Sequence, residues 1–169
     1  MRPFVQRRVR TRKRNDDVRA FGGLSAMLFG KKKRQIVRLL VVEDEPLVAF
    51  DTEYFLTDAN FTIVATIDRV AEALPILASD AVIDLVLVDV NLADGSGIDV
   101  ARAAHARGVP VMFVTGSCPV EATTLAAGCM AKPYMPRDLI AAIEAIEAML
   151  GGGEPKRVPQ GFTLFPRTA

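Results

Sequence analysis

Leu85-Val86-Leu87-Val88-Asp89-Val90-Asn91-Leu92-Ala93-Asp94-Gly95-Ser96-Gly97 is the stretch that decides the fold. Leu85–Val88 is an apolar block without a polar interruption. A strand buried on both faces has that composition, and parallel sheets make such strands. The block stops on an acid, Asp89, and then breaks into a turn. Asp89 therefore stands at the carboxyl end of a strand. In an open α/β sheet, ligands bind in the crevice outside those ends. An Asp at such a place also serves simply to cap a turn. This stretch alone leaves both readings open.

The surrounding chain sets the bounds. It has 169 residues, half of them hydrophobic. That is enough for one domain with a core and some tail. No uncharged apolar run reaches the roughly 18 residues of a membrane span. Two cysteines, Cys118 and Cys129, are too few for a disulfide scaffold. With no secretory signal in view, a reducing cytoplasm is the expected location.

The net charge of +1 hides an asymmetry. Residues 1–38 carry 13 Lys and Arg against 2 acids, while residues 39–150 carry 5 against 17. The foldable part is acidic and a basic arm precedes it. An acidic domain is a poor nucleic-acid binder by itself, because phosphate neutralisation supplies most of that affinity. The arm, residues 1–34, contains R-R-V-R-T-R-K-R from Arg7 and K-K-K-R from Lys31. Like charges this dense repel and favour disorder. Two readings of it stay open: a tether to nucleic acid or an anionic membrane, or a segment of which residues 1–26 have no role, with Met27 as the start.

From Gln35 strands and helices alternate. Strand one is Ile36–Val42, followed by Glu43, Asp44 and Glu45. Pro46 suits the first helical position, and helix one runs to about Thr57, with Val48, Phe55 and Leu56 inward. Phe61–Ile67 is strand two. Helix two spans about Val70–Ala78, where Pro75 should kink or divide it. Strand three is the opening block, and the Asp94–Gly97 turn leads into helix three. Val109–Val114 is strand four, and helix four opens at Pro119 or Val120. Gly128–Ala131 is strand five, ending at Lys132-Pro133. Helix five runs from about Pro136 to Leu150, its Leu139, Ile143, Ile146 and Leu150 on one face. Residues 152–169 are expected to be an unstructured tail.

Five such repeats imply parallel βαβ units with right-handed crossovers: an open, doubly wound (βα)5 sheet of order 2-1-3-4-5. The carboxyl ends of strands one, three, four and five then present Glu43 and Asp44, Asp89, Thr115 and Lys132. Acids gathered at one edge repel unless a cation joins them, and hard oxygen ligands suit Mg²⁺. Lys132 offers a point charge for a phosphoryl oxygen. A carboxylate nucleophile beside a metal, an ammonium and a hydroxyl is equipment for forming an acyl phosphate.

These motifs together resemble the receiver domain of two-component response regulators. They are V-V-E-D-E-P at 41–46, V-L-V-D-V-N-L at 86–92, D-G-S-G at 94–97, F-V-T-G at 113–116 and A-K-P-Y at 131–134. The resemblance covers about residues 35–151. It implies that Asp89 accepts a phosphoryl group from a phosphohistidine of a histidine kinase or phosphotransfer protein. It implies Mg²⁺ bound directly by Asp44 and through water by Glu43, with Asp89 and the backbone carbonyl of Asn91 completing the metal site. Thr115 would hydrogen-bond the phosphoryl group and Lys132 would pair with it, beside a cis peptide at Lys132–Pro133.

Cys129 stands where many receivers have an aromatic residue that rotates on activation. P-V-M-F-V-T-G at 110–116 is similar to the single-domain branch named for F-A-T-G-[any]-Y. Val114 here replaces its Ala, and Cys118 stands near its Tyr. The activation change is therefore expected in the loop from Gly116 and in helix four. The two cysteines are expected to act as small apolar residues, and His105 as an exposed helix residue. The overall expectation is a stand-alone receiver without a DNA-binding output domain, signalling through the face of helix four, strand five and helix five. Its only catalysis would be gain and hydrolysis of its own acyl phosphate. The alternatives are a phosphorylation-independent interaction module and a tether using the basic arm.

Overall fold

The computed structural model describes residues 34–166. In chain order these form β1 (Arg38–Val42), α1 (Pro46–Asp58), β2 (Thr62–Ile67), α2 (Val70–Ala78), β3 (Leu85–Val88), β4 (Asn91–Leu92), β5 (Gly95–Ser96), α3 (Gly97–Ala106), β6 (Val111–Thr115), α4 (Ala122–Leu125), β7 (Gly128–Ala131), α5 (Pro136–Leu150) and β8 (Phe162–Leu164). The main sheet runs β2-β1-β3-β6-β7-β8, and β4 and β5 make a separate small hairpin. The first five of its strands are parallel in the anticipated 2-1-3-4-5 order, with β6 and β7 as strands four and five.

Side-chain alternation along the strands splits the core in two. Leu39, Val41, Leu85, Leu87, Met112 and Met130 face α1 and α5, meeting Leu56, Leu139, Ile143 and Ile146. Leu40, Val42, Val86, Val88 and Phe113 face the other way, against Ala73 and Leu77 of α2, Val100 and Ala104 of α3, and Ala122 of α4. Helices thus cover both faces, so β3 must be apolar at every position, as its four fully buried residues are.

Several expectations change. The inward face of α1 is Ala49, Thr52 and Leu56, while Val48 and Phe55 are only half-buried. Pro75 does not divide α2, which runs unbroken over its nine residues. Helix four is a single turn rather than a helix from Pro119. Arg34, counted with the basic arm, is part of the domain: its guanidinium stacks 4.1 Å over Phe61 and donates to Ala59 O. The expectations for residues 1–33, including the Met27 start, lie outside the described residues. The largest correction concerns the tail. Residues 162–164 are not loose but pair antiparallel with β7 as β8. Phe162 joins one core layer and Phe165 the other, and burying two aromatic rings offsets the ordering of a short tail.

A long-range cap links the hairpin to α2. Arg69 at the α2 N-cap supplies no capping side chain. Asp94 supplies one from 24 residues away, accepting from Val70 N–H (2.8 Å) and Ala71 N–H (3.0 Å). These bonds hold the Asp94 pKa below the ordinary aspartate value. A lowered pKa in the folded state means stabilisation that is present above the unfolded value and lost as pH falls through the folded one. The stability difference between wild type and Asp94→Ala, measured by denaturant unfolding, is therefore predicted to be constant near neutral pH and to vanish in acid below the ordinary aspartate range.

Candidate functional site

Backbone hydrogen bonds between neighbouring strand ends fix the site before any side chain is considered. Asp89 N–H donates to Val42 O at 3.0 Å, and Glu43 N–H to Ile67 O at 2.9 Å. Lys132 N–H donates to Thr115 O at 2.9 Å. The register pairs Val42 with Val88 and Thr115 with Ala131. Glu43, Asp89 and Lys132 thus leave three strands at one level, with Thr115 at the end of a fourth.

The Lys132 ammonium lies 2.6 Å from Glu43 Oε2, 2.6 Å from Asp89 Oδ2 and 3.4 Å from Glu45 Oε1. Glu43 and Asp89 are buried and Glu45 is open to solvent. Burial pushes the Glu43 carboxyl above its ordinary pKa despite the ammonium beside it. Burial pulls the other way on Lys132, but Asp89 and Glu43 outweigh it and raise its pKa. The lysine stays charged, which its two buried acids require.

Thr115 is fully buried, and its hydroxyl has no hydrogen-bond partner among the described residues. A buried polar atom left unpaired costs about 1–3 kcal/mol, and native structures seldom keep one without a reason. Asn91 is exposed at the start of the hairpin, and its N–H donates to Asp89 Oδ1 at 3.2 Å. The Lys132–Pro133 peptide is cis. Next to it, Tyr134 and Thr52 of α1 share a hydroxyl–hydroxyl bond of 2.8 Å.

The acidic set differs from the anticipated one. Glu43, Glu45 and Asp89 each offer an oxygen within 4.8 Å of the others. Asp44 is half-buried and lies outside that group. The backbone bends at Asp44 and Glu45 after leaving β1, which brings the Glu45 carboxylate back beside Glu43. Their link is also direct, Glu45 N–H donating to Glu43 Oε1 at 3.2 Å. The donor set fits Mg²⁺: hard carboxylate oxygens, with the exposed Glu45 side leaving room for the waters this ion keeps. Cys129 is buried, and burial raises its thiol pKa, as does the neighbouring Cys118. His105 is exposed on α3.

The fold and pocket are those of a phosphoryl-accepting signalling domain. Residues 39–144 match the family model of the response regulator receiver domain, and the chain belongs to that family. The cell cycle transcriptional regulator CtrA of Caulobacter vibrioides is 33% identical over 117 residues, 65% of this chain and 50% of CtrA. The phyllosphere-induced regulator PhyR of Methylorubrum extorquens is 32% identical over 115 residues, 62% of this chain and 41% of PhyR. The chain spans about half the length of these relatives. Among solved structures, a response regulator receiver protein from Sinorhizobium medicae superposes with a TM-score of 0.58 at 28% identity. It covers 66% of this chain and 94% of that one. A CheY-like receiver domain from Methanospirillum hungatei gives 0.60 at 25% identity, covering 70% and 99%.

Gly97 is a residue whose role the sequence reading did not reach. Its motif reads as a turn, but the structure shows why a glycine stands there. A Cβ at Gly97 would lie 1.8 Å from Asp89 O and 2.8 Å from Val88 Cγ2. The start of α3 is pressed against the backbone of Asp89 itself. Gly97→Ala is predicted to destabilise the domain by about 1–3 kcal/mol as the backbone shifts, and to slow phosphorylation of Asp89. Urea unfolding and a phosphorylation time course check the two effects.

Proposed function

We propose that this chain is a receiver that takes a phosphoryl group on Asp89 from a phosphohistidine of a histidine kinase or phosphotransfer protein. The observation that carries the reading is the Lys132 ammonium held at 2.6 Å from both Asp89 and Glu43, with the unpaired Thr115 hydroxyl at the next strand end.

An Asp89 oxygen attacks the phosphorus. The new O–P bond forms as the P–N bond to the donor imidazole breaks, and the electron pair leaves with the imidazole, which is then protonated. The product is an acyl phosphate. Lys132 pairs with a phosphoryl oxygen in place of the carboxylate charge it holds at rest, and the Thr115 hydroxyl gains its missing partner. Glu43, Asp89, the Asn91 carbonyl and one carboxylate of the Asp44–Glu45 turn would hold Mg²⁺. When bound, it supplies charge neutralisation at the phosphoryl oxygens. The only catalysis assigned here is this self-phosphorylation and its hydrolysis.

Output in this reading is a protein contact on the face of α4, β7 and α5, made in the cytoplasm. Among the described residues no helix is long and apolar enough to cross a membrane. With Cys129 at the usual ring position, activation passes through the loop from Gly116 and α4, by local ordering. A Cβ at Gly116 would meet nothing within 4 Å, so that loop has room to move.

The test is intact mass after incubation with a small-molecule phosphodonor. Wild type is predicted to gain one phosphoryl group only with Mg²⁺, and Asp89→Ala none. Lys132→Ala is predicted to react more slowly by on the order of 10²-fold. A folded, Mg²⁺-saturated wild type that gains nothing supports the phosphorylation-independent module instead.

A further inference from the structure

The residues matched by the receiver family end at 144, but the sheet does not. β8 is added to it from residues 162–164, antiparallel along the outer edge of β7. That edge belongs to the face through which the functional reading above sends its signal, and the inference rests on that reading. We propose that Gly161–Phe165 is a displaceable strap over the α4–β7–α5 face, and that phosphorylation of Asp89 loosens it.

The strap is seated by fitted contacts. A Cβ at Gly128 would come within 2.4 Å of the Phe162 ring, so β7 leaves a gap that the ring fills. Phe162 and Phe165 are the buried anchors, in opposite core layers. Thr163 between them is exposed and Leu164 is half-buried. The connection from α5 begins with Gly151-Gly152-Gly153. Between residues 151 and 160 Pro159 is buried and Pro155 half-buried, the rest being exposed. Apart from these prolines and the 2.8 Å ion pair of Arg157 with Asp138 of α5, the tether is exposed. The strap therefore depends on its two rings and on a three-residue pairing with β7, and an edge unit of that size opens without the rest of the sheet.

Both ends of the strap touch parts of the molecule that the phosphoryl group would move. Ala131 N–H donates to Gly161 O at 2.8 Å. The next residue is Lys132, whose ammonium must turn from Asp89 to a phosphoryl oxygen. At the other end Phe165 N–H donates to Ala127 O at 2.9 Å, just past the end of α4. The Phe165 ring shares a core layer with Ala122, Leu125 and Ala126. Beside it is a cavity of about 470 Å³ lined by His105, Pro110, Thr123, Leu125, Leu150 and Phe165. A short α4 next to open space has somewhere to go, and any shift unseats Phe165.

Amide hydrogen exchange on the full chain tests this, with phosphodonor and Mg²⁺ in excess and intact mass recorded on the same sample. Phosphorylation is expected to speed exchange at Ala131 and Phe165 at least tenfold, with residues 85–88 unchanged. A full phosphoryl gain with no change at those two amides overturns the strap alone. No phosphoryl gain overturns the functional reading and the strap with it. Phe165→Ala supplies a second arm. Unphosphorylated, it is expected to exchange fast across 161–165 while 85–88 stays protected. Loss of protection in both regions would make the segment ordinary core and overturn the proposal.

Discussion

A single ammonium between two buried carboxylates is the constraint on which the rest of the site depends. The β1–β3 register places Val42 beside Val88, so Glu43 and Asp89 must leave neighbouring strands together. Two like charges in a buried place repel, and one would protonate unless a cation joined them. Lys132 meets that need, 2.6 Å from each. Its own position follows from the β6–β7 pairing, which ends at Thr115 and Ala131. The apolar strands therefore do more than fill a core. Their registers force acids together, and only a strand-end lysine, or a divalent cation, makes that arrangement tolerable.

Around this centre the packing is tightest at the strands. The sheet is packed on both faces, and β3 has no exposed residue. The Asp89 backbone is held from beneath by Val42 O and pressed from above by α3 at Gly97. The Thr115 hydroxyl, in contrast, is buried and unpaired, a stored cost that a phosphoryl oxygen on Asp89 would relieve. The loop from Gly116 leads into the single-turn α4, which shares a core layer with the Phe165 anchor of the β8 segment.

Much of this was legible in the chain, for identifiable reasons. Uninterrupted apolar blocks such as Leu85–Val88 are what a two-sided sheet needs, so the five parallel strands and their order could be read, while the β4–β5 hairpin and β8 could not. Asp89, Glu43, Thr115 and Lys132 were legible because strand ends are where a parallel sheet presents polar groups. What escaped was set by contacts between distant segments. Glu45 joins the cluster, and Asp44 does not, through the local path of the backbone after β1. Asp94 caps α2 across 24 residues, while local capping rules look only to adjacent positions. The strand at Phe162–Leu164 is too short and too isolated by glycine and proline to signal itself. It forms because Gly128, in another strand, leaves space for a ring.

The central claim is that chemistry occurs on Asp89 and on no neighbouring acid. Borohydride reduction of the phosphorylated protein converts an aspartyl phosphate to homoserine, and peptide mass mapping then locates the altered residue. The account predicts homoserine at position 89 alone. A reduced residue at Glu43, Asp44 or Glu45, or a phosphoryl group that resists reduction and maps to a hydroxyl side chain, would contradict it.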